Sequence, residues 1–415
     1  MTESARVIPL PDRRQERGGT RPAALPGSRL EIGSAGAVVR DDTGLAYLDC
    51  GGHGGFLLGH RHPRVAAAVV DQINRRPMAS GVLLDPTVAR AAATLAEVAP
   101  PGLDFVHFVN SGTEAVEAAI KLARAHGAYR LVAAYGGSHG STLGALSLST
   151  RDRNAEPFRP LLPSVRQVPY GDVAALGAAL ADGRQHCVVL EPVQADNGVV
   201  LPPAGYLSAA ADLCRRHGAF LVLDETQTGL GRLGSWWGAD AEGVLPDALC
   251  AGGTLSGGVV PVAALLATAE SYAPLAHDSF GRPEAFAGSP VAMAAVHATV
   301  HAIRDEGLVD RAGVLGARLL HDLRRLLAEA CPNLVREVRG AGLLIGIEFT
   351  DQPLAAAFAL ELLDRRVLAA QAALAPHVIR LTPPAVLADA ELDWLLAAAT
   401  EAARAVVARA AEGVI

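Results

Sequence analysis

The chain has 415 residues, half of them apolar and 19% charged, with a net charge of −7. That length and apolar content exclude disorder as the dominant state and leave room for one to three domains. So mild an acidic balance argues against a dedicated nucleic-acid binder, which carries a basic face.

Residues 1–28 are polar, punctuated by proline, glycine and arginine, and read as a loose arm. They lack the apolar core of a secretory signal. Between 102 and 267 short β-rich runs alternate with helical periodicity: a strand at 105–110, a helix at 114–126, a strand at 131–135. Unbroken apolar runs at 187–190 and 219–223 have strand length, with a helix at 207–217 between them. This alternation predicts an α/β fold with a mainly parallel, doubly wound sheet in a large domain, 61–330. Ligands of such sheets lie beyond the carboxyl ends of the strands. Helices are expected at 289–304 and 311–330. After Pro332 strands at 335–349 and 378–381, with helices at 353–365 and 388–411, predict a smaller α+β domain over 331–415, joined by 29–60.

No apolar stretch approaches the roughly 20 residues that span a bilayer, so no membrane partner is expected. The five cysteines, Cys50, Cys187, Cys214, Cys250 and Cys331, never form a C-x-x-C pair. They read as reduced thiols of a cytoplasmic protein without a metal site. Gly229-Leu-Gly231-Arg-Leu-Gly234 matches a dinucleotide pattern, but no clean strand–turn–helix surrounds it, and a glycine-rich loop suffices. His297 and His301 have metal-ligand spacing, yet Ala298 stands where a hydrolytic zinc helix needs glutamate. His60 and His62 sit in a turn-like Gly59-His-Arg-His-Pro63.

Ser111-Gly112-Thr113-Glu114 follows a strand and opens a helix, so N–H groups and two hydroxyls converge at the positive end of a helix dipole. A phosphate site and a plain N-cap both account for it. Asp224 ends the run at 219–223. A buried carboxylate there needs a partner, and a protonated heterocyclic nitrogen is one; a turn-capping aspartate is the plainer reading.

Val109-Asn-Ser-Gly-Thr-Glu-Ala115, Leu190-Glu-Pro-Val-Gln194, Leu223-Asp-Glu-Thr-Gln-Thr-Gly229 and Leu255-Ser-Gly-Gly-Val-Val-Pro-Val262 appear in order. With Gly59-His-Arg-His-Pro63 upstream and Arg380-Leu-Thr-Pro-Pro384 downstream, the chain resembles the class III pyridoxal-phosphate aminotransferases over roughly residues 30–410. Ornithine, acetylornithine and 4-aminobutyrate aminotransferases belong to that family. The resemblance implies fold type I, pyridoxal phosphate as cofactor, an amino donor and a carbonyl acceptor, and a homodimer with sites at the subunit interface. It assigns Ser111, Gly112 and Thr113 to the phosphate cup, Asp224 to the pyridine nitrogen and Gln227 to the ring oxygen. Arg380 takes the substrate carboxylate, a bidentate task suited to guanidinium.

Gly253 stands where this family carries its Schiff-base lysine. Lys121, the only lysine of the chain, lies on the helix after the cup and cannot substitute. The cofactor is therefore expected to be held non-covalently. Ser138 replaces the family's stacking aromatic in Gly137-Ser-His-Gly140. Ala285 replaces a threonine that reaches the neighbouring subunit's phosphate. Positioned acid–base catalysis is worth roughly 10²–10⁴-fold, so transamination is expected to be impaired unless another base acts. His139 is the nearest candidate base, and a structural hydrogen bond is its plainer role; Cys250 and Tyr135 are weaker candidates. Three readings compete: an aminotransferase-family enzyme working without the lysine; a catalytically silent structural or regulatory subunit, for which a lysine-bearing relative is a candidate partner; a lysine-free enzyme of elimination or dehydration type. The retained Asp224 and Gln227 favour the first and third, Ser138 and Ala285 the second.

Overall fold

The structure is a computed structural model that describes residues 29–51, 56–80, 83–149, 155–276 and 286–413. The expected arm at 1–28 and the Ala285 position lie outside the described residues. Strands β1 (Glu31–Ala35), β2 (Val38–Asp41) and β3 (Ala46–Asp49) open the chain, followed by helices α1 (Pro63–Arg75) and α2 (Pro86–Ala96). Then come β4 (Phe105–Val109), α3 (Gly112–Ala125), β5 (Arg130–Ala134), α4 (Leu143–Leu148), β6 (Val165–Val168), α5 (Val173–Leu180), β7 (His186–Leu190) and α6 (Tyr206–His217). Strands β8 (Phe220–Glu225), β9 (Ala248–Ala251) and β10 (Ala263–Ala267) complete one seven-stranded sheet, in the order β4-β10-β9-β8-β7-β5-β6. Its interior strands pair in parallel from β6 to β9, whereas β10 runs antiparallel to both its neighbours, β9 and β4.

Helix layers cover both faces of this sheet, which is why its central strands lack polar alternation. Along β8, Leu221 and Leu223 enter the core shared with α6, while Phe220 and Val222 enter the core shared with α3. The period of two carries on to the strand end, so Asp224 continues the α3 row and Glu225 the opposite one. Helix α3 starts where Ser111 Oγ accepts the Glu114 N–H at 3.2 Å and Glu114 Oε2 accepts the Asn110 N–H at 2.7 Å, a reciprocal cap. Helix α6 stops at Gly218, whose φ of 62° provides a left-handed cap after the basic last turn Arg215, Arg216 and His217.

Helices α7 (Ala269–Ala276), α8 (Pro290–Asp305) and α9 (Leu308–Ala330) lead to a second sheet built from β11 (Val335–Ala341) and β12 (Leu344–Phe349). Sequence periodicity predicts one strand over 335–349, and the structure corrects this. The chain turns back at Gly342, in the left-handed region at φ 52°, so the run is a hairpin of two antiparallel strands. After α10 (Gln352–Asp364) come β13 (Val367–Leu368), β14 (Ala370–Gln371), β15 (Val378–Leu381) and the long α11 (Asp389–Ala411). Strand β13 pairs in parallel with β3, so the N-terminal strands share a sheet with the C-terminal part. No described helix is long and apolar enough to cross a membrane.

The discarded motifs have ordinary partners. The 229–234 glycines lie in a turn-rich loop after β8, with no helix following directly. His297 Nδ1 bonds Thr94 Oγ1 at 2.8 Å, His60 bonds Asp49 at 2.8 Å, and no metal-holding cluster occurs among the described residues. All five cysteines are free and buried.

Glu225 anchors the loop after β8. Its carboxyl accepts from Thr228 Oγ1 at 2.6 Å and from the Gly238 and Ala239 N–H groups at 2.8 Å. Burial nevertheless pushes its pKa up to about 7, against these donors. The folded state therefore keeps a proton that the unfolded chain releases near 4.5. Its stability contribution is complete below about 4.5 and is lost as pH rises through about 7. Urea unfolding between pH 5 and 8 should show wild type losing up to about 3 kcal/mol more than Glu225→Gln across that window. Equal slopes in the two proteins would remove Glu225 as the cause.

Candidate active site

Five segments at the carboxyl ends of strands of the large sheet carry all the site residues except Arg380. They are 110–113 after β4, 135–140 after β5, 191–200 after β7, 224–227 at the end of β8, and 252–256 after β9. Adjacent parallel strands put their loops side by side, so this clustering follows from the topology.

Asp224 lies at the centre and is 2% exposed. Its Oδ2 is 2.7 Å from His139 Nδ1, and its Oδ1 accepts from Thr226 N at 3.1 Å and Thr226 Oγ1 at 2.7 Å. The His139 side chain is 1% exposed, and the residue's backbone N–H donates to Ser149 Oγ at 3.0 Å. His139, expected as a candidate base, is thus walled in behind Asp224, away from any solvent-reachable space. Cys250 is fully buried, and burial drives its thiol well up, so it offers no thiolate. Tyr135 is 53% exposed and engages through its backbone carbonyl, which Gln194 Nε2 reaches at 2.9 Å.

Thr226 joins this centre to the cup. A Cβ added to Gly112 would stand 2.8 Å from Thr226 Cγ2, so the first turn of α3 approaches Thr226 as closely as a glycine permits. The first N–H groups of a helix have no intrahelical acceptor. Ser111 Oγ takes that of Glu114. Thr113 packs against Gly140, where a Cβ would lie 2.5 Å from Thr113 Oγ1.

On the other side, Arg380 of β15 reaches in from the second sheet. Its NH1 donates to Asp196 Oδ1 at 2.6 Å and to Gln227 Oε1 at 2.9 Å. Its Nε is buried and meets no hydrogen-bond partner among the described residues. Ser138 closes the ring: its Oγ donates to Asp196 Oδ2 at 2.8 Å and its N–H to Glu191 Oε1 at 3.0 Å. Burial, then the nearby Asp224 and Asp196, push the Glu191 carboxyl well up from the ordinary range, against the lowering pull of the Ser138 N–H.

Two neighbouring glycines behave oppositely. A Cβ on Gly252 would sit 2.3 Å from the Thr226 carbonyl oxygen, whereas one on Gly253 would meet nothing within 4 Å. Gly253 is exposed and opens the short 3-10 turn Gly253–Ser256. Lys121 is exposed on α3, nine residues from its start and so roughly 13 Å along the axis from the cup.

Each predicted site residue, Ser111, Gly112, Thr113, His139, Asp224, Gln227 and Arg380, therefore borders one region. Sequence reasoning left out Asp196, Glu191 and Thr226. Glu191 and Thr226 lie inside quoted motifs without a role; Asp196 follows one by two positions, and only the fold shows its partner.

Comparison with known proteins gives a consistent result. The family described as Aminotransferase class-III matches residues 31–402. The ornithine aminotransferase of Toxoplasma gondii is 31% identical, with a TM-score of 0.88 over 95% of this chain and 94% of that one. That structure shows partial occupancy of PLP at its active site. Acetylornithine aminotransferase from Elizabethkingia anophelis is 27% identical, TM-score 0.78, over 93% and 96% of the two chains. Adenosylmethionine-8-amino-7-oxononanoate aminotransferase from Methanocaldococcus jannaschii is 26% identical, TM-score 0.81, over 91% and 93%.

The glycine pair gives a test of this geometry. Gly253→Ala should change urea-unfolding stability by less than about 0.5 kcal/mol. Gly252→Ala should cost roughly 1–3 kcal/mol, because Thr226 backbone must move. Equal costs would mean that the loop after β9 is not seated on Thr226.

Proposed function

The chain belongs to the class-III aminotransferase family, and on that premise we propose that it moves an amino group from an amino acid donor to a carbonyl acceptor through pyridoxal phosphate held without a covalent bond. The observation that carries this reading is the buried Asp224, fixed by His139 and Thr226 beside the N-terminus of α3. The residues fit the cofactor: helix N–H groups suit its phosphate, a buried carboxylate its ring nitrogen, and the partnerless Arg380 Nε an anionic donor.

When bound, pyridoxal phosphate supplies a carbon that accepts the amino group and a ring that withdraws electrons from it. Ser111 closes the first turn of α3, leaving the Gly112 and Thr113 N–H groups and the Thr113 hydroxyl to hold the phosphate. Asp224 would hold the pyridine nitrogen protonated, with His139 and Thr226 orienting its carboxyl. Gln227 has its Oε1 committed to Arg380, which leaves its amide N–H for the ring oxygen. Arg380 grips the donor carboxylate. Gly253 provides no amine, and the enclosed His139 moves no proton at the reacting carbon. With no positioned base among these side chains, turnover would be slower by roughly 10²–10⁴-fold than with one.

One observation favours a second reading, a catalytically silent subunit. Ser138 offers no ring face, and its hydroxyl is engaged with Asp196.

Equilibrium dialysis with pyridoxal phosphate separates the two. Saturable binding is expected, and Thr113→Ala and Asp224→Ala should each weaken it about tenfold or more, the cost of a hydrogen bond to a charged group. Borohydride treatment and intact mass measurement should show no cofactor-sized increment in wild type and one increment in Gly253→Lys. An increment on Lys121 would defeat the non-covalent reading. Absence of binding in wild type and Gly253→Lys alike would establish the silent subunit.

A further inference from the structure

Arg380 is one end of a row. In the second sheet Arg339 of β11 lies opposite Gly346 of β12, and Gly346 lies opposite Arg380 of β15. Directly opposed residues share a face, so an arginine, a glycine and an arginine stand side by side. The turn after Gln194, closed by the paired Gln194 and Val200, lies across this row.

Arg380 holds one part of the turn, and Gly346 and Arg339 together hold another. Arg380 meets Asp196 at 2.6 Å. Gly346 lies under the middle, where an added Cβ would stand 3.1 Å from both the Gly198 carbonyl oxygen and Val199 Cβ. Arg339 grips the far end: its Nε donates to the carbonyls of Gly198 at 3.0 Å and Val199 at 3.1 Å, and its NH2 to Gly198 at 2.7 Å. Glu337 and Glu348 in turn hold Arg339 NH1, and the arginine side chain is 14% exposed. Val199 sits at φ 56°, a left-handed conformation that is a genuine outlier for a β-branched residue. Such strain persists only where surrounding contacts enforce it, and the arginine fork on two successive carbonyls is one of them, beside the Val199 N–H donating to the Ala195 carbonyl at 3.2 Å.

We propose that Arg339 and Gly346 are positioning residues that set the Asp196–Arg380 pair, and thereby how far the Arg380 guanidinium is open to a carboxylate ligand. This rests on the reading of Arg380 as the carboxylate-binding residue. When the fork is lost, Val199 relaxes, the turn lifts from Gly346, and Asp196, three residues before Val199, withdraws. Arg380 then presents an additional N–H to an incoming carboxylate. The fork and not the charge matters, because lysine cannot serve two carbonyls from one plane.

The test is calorimetric titration of propionate, a carboxylate without an amino group, into protein saturated with pyridoxal phosphate. Arg339→Lys should bind propionate about fivefold to tenfold more tightly than wild type, and in an Asp196→Asn background the same change should add less than about twofold. Gly346→Ala, which pushes the turn from below, should shift affinity in the same direction and serves if Arg339→Lys does not fold. A purely structural role would lower the urea midpoint and leave propionate affinity unchanged. That result, or an equal gain with and without Asp196, overturns the proposal. Arg380→Ala separates the premise: if propionate binds it as well as wild type, or fails to bind Asp196→Asn at all, the carboxylate reading of Arg380 falls and the proposal with it.

Discussion

A carboxylate buried at the end of a central parallel strand is the constraint around which this protein is arranged. Removing an ionised group from water is costly unless hydrogen bonds replace its hydration. Asp224, 2% exposed, meets that demand with three contacts, one to His139 and two to Thr226. Each partner is anchored in turn: His139 through Ser149, and Thr226 between Gly112 and Gly252. Loops after β4, β5 and β9 are thereby fixed by what one side chain requires. Polar networks of this kind are stiff because a missing member leaves its neighbours unsatisfied.

The same logic extends to a second acid, with a different outcome. Asp196 is held by Ser138, from the loop after β5 of the large sheet, and by Arg380 of β15 in another sheet. Where Asp224 draws its partners from neighbouring loops of its own sheet, Asp196 binds the large sheet to the small one. Position along the sheet thus decides whether a carboxylate organises a site or joins two bodies of structure.

How much of this was legible in the sequence depended on the range of the interactions involved. Strands β7 and β8 were readable as unbroken apolar runs because both their faces are covered, and α3 announced itself through Ser111 and Glu114, a local cap. The hairpin at Gly342 was not, since β11 mixes apolar and charged residues without a clear pattern and the reversal depends on one left-handed glycine. Asp196 was invisible for a simpler reason: its partner lies 184 residues away, and no local pattern marks a residue whose role is set by the far end of the chain. His139 was legible as a residue near the site but not in its orientation, which the buried Asp224 dictates. Family resemblance supplied the names of the cup and of Gln227, while the opposite demands on Gly252 and Gly253, identical in the sequence, emerged only from what surrounds them.

The strand order carries a consequence for how the protein comes into being. Strand β4, which delivers the cup, is an edge strand whose single neighbour in the sheet is β10, and β10 is also what joins it to β9. During synthesis from the N-terminus, β4 therefore waits through more than a third of the chain before its hydrogen-bonding partner emerges. Until then α3 has only part of the surface it packs on, the strands β7, β8 and β9. Non-local pairings of this kind slow folding and leave strand edges open meanwhile. The edge of the sheet that leads into α3 is thus joined to the rest only through five apolar residues, Ala263–Ala267.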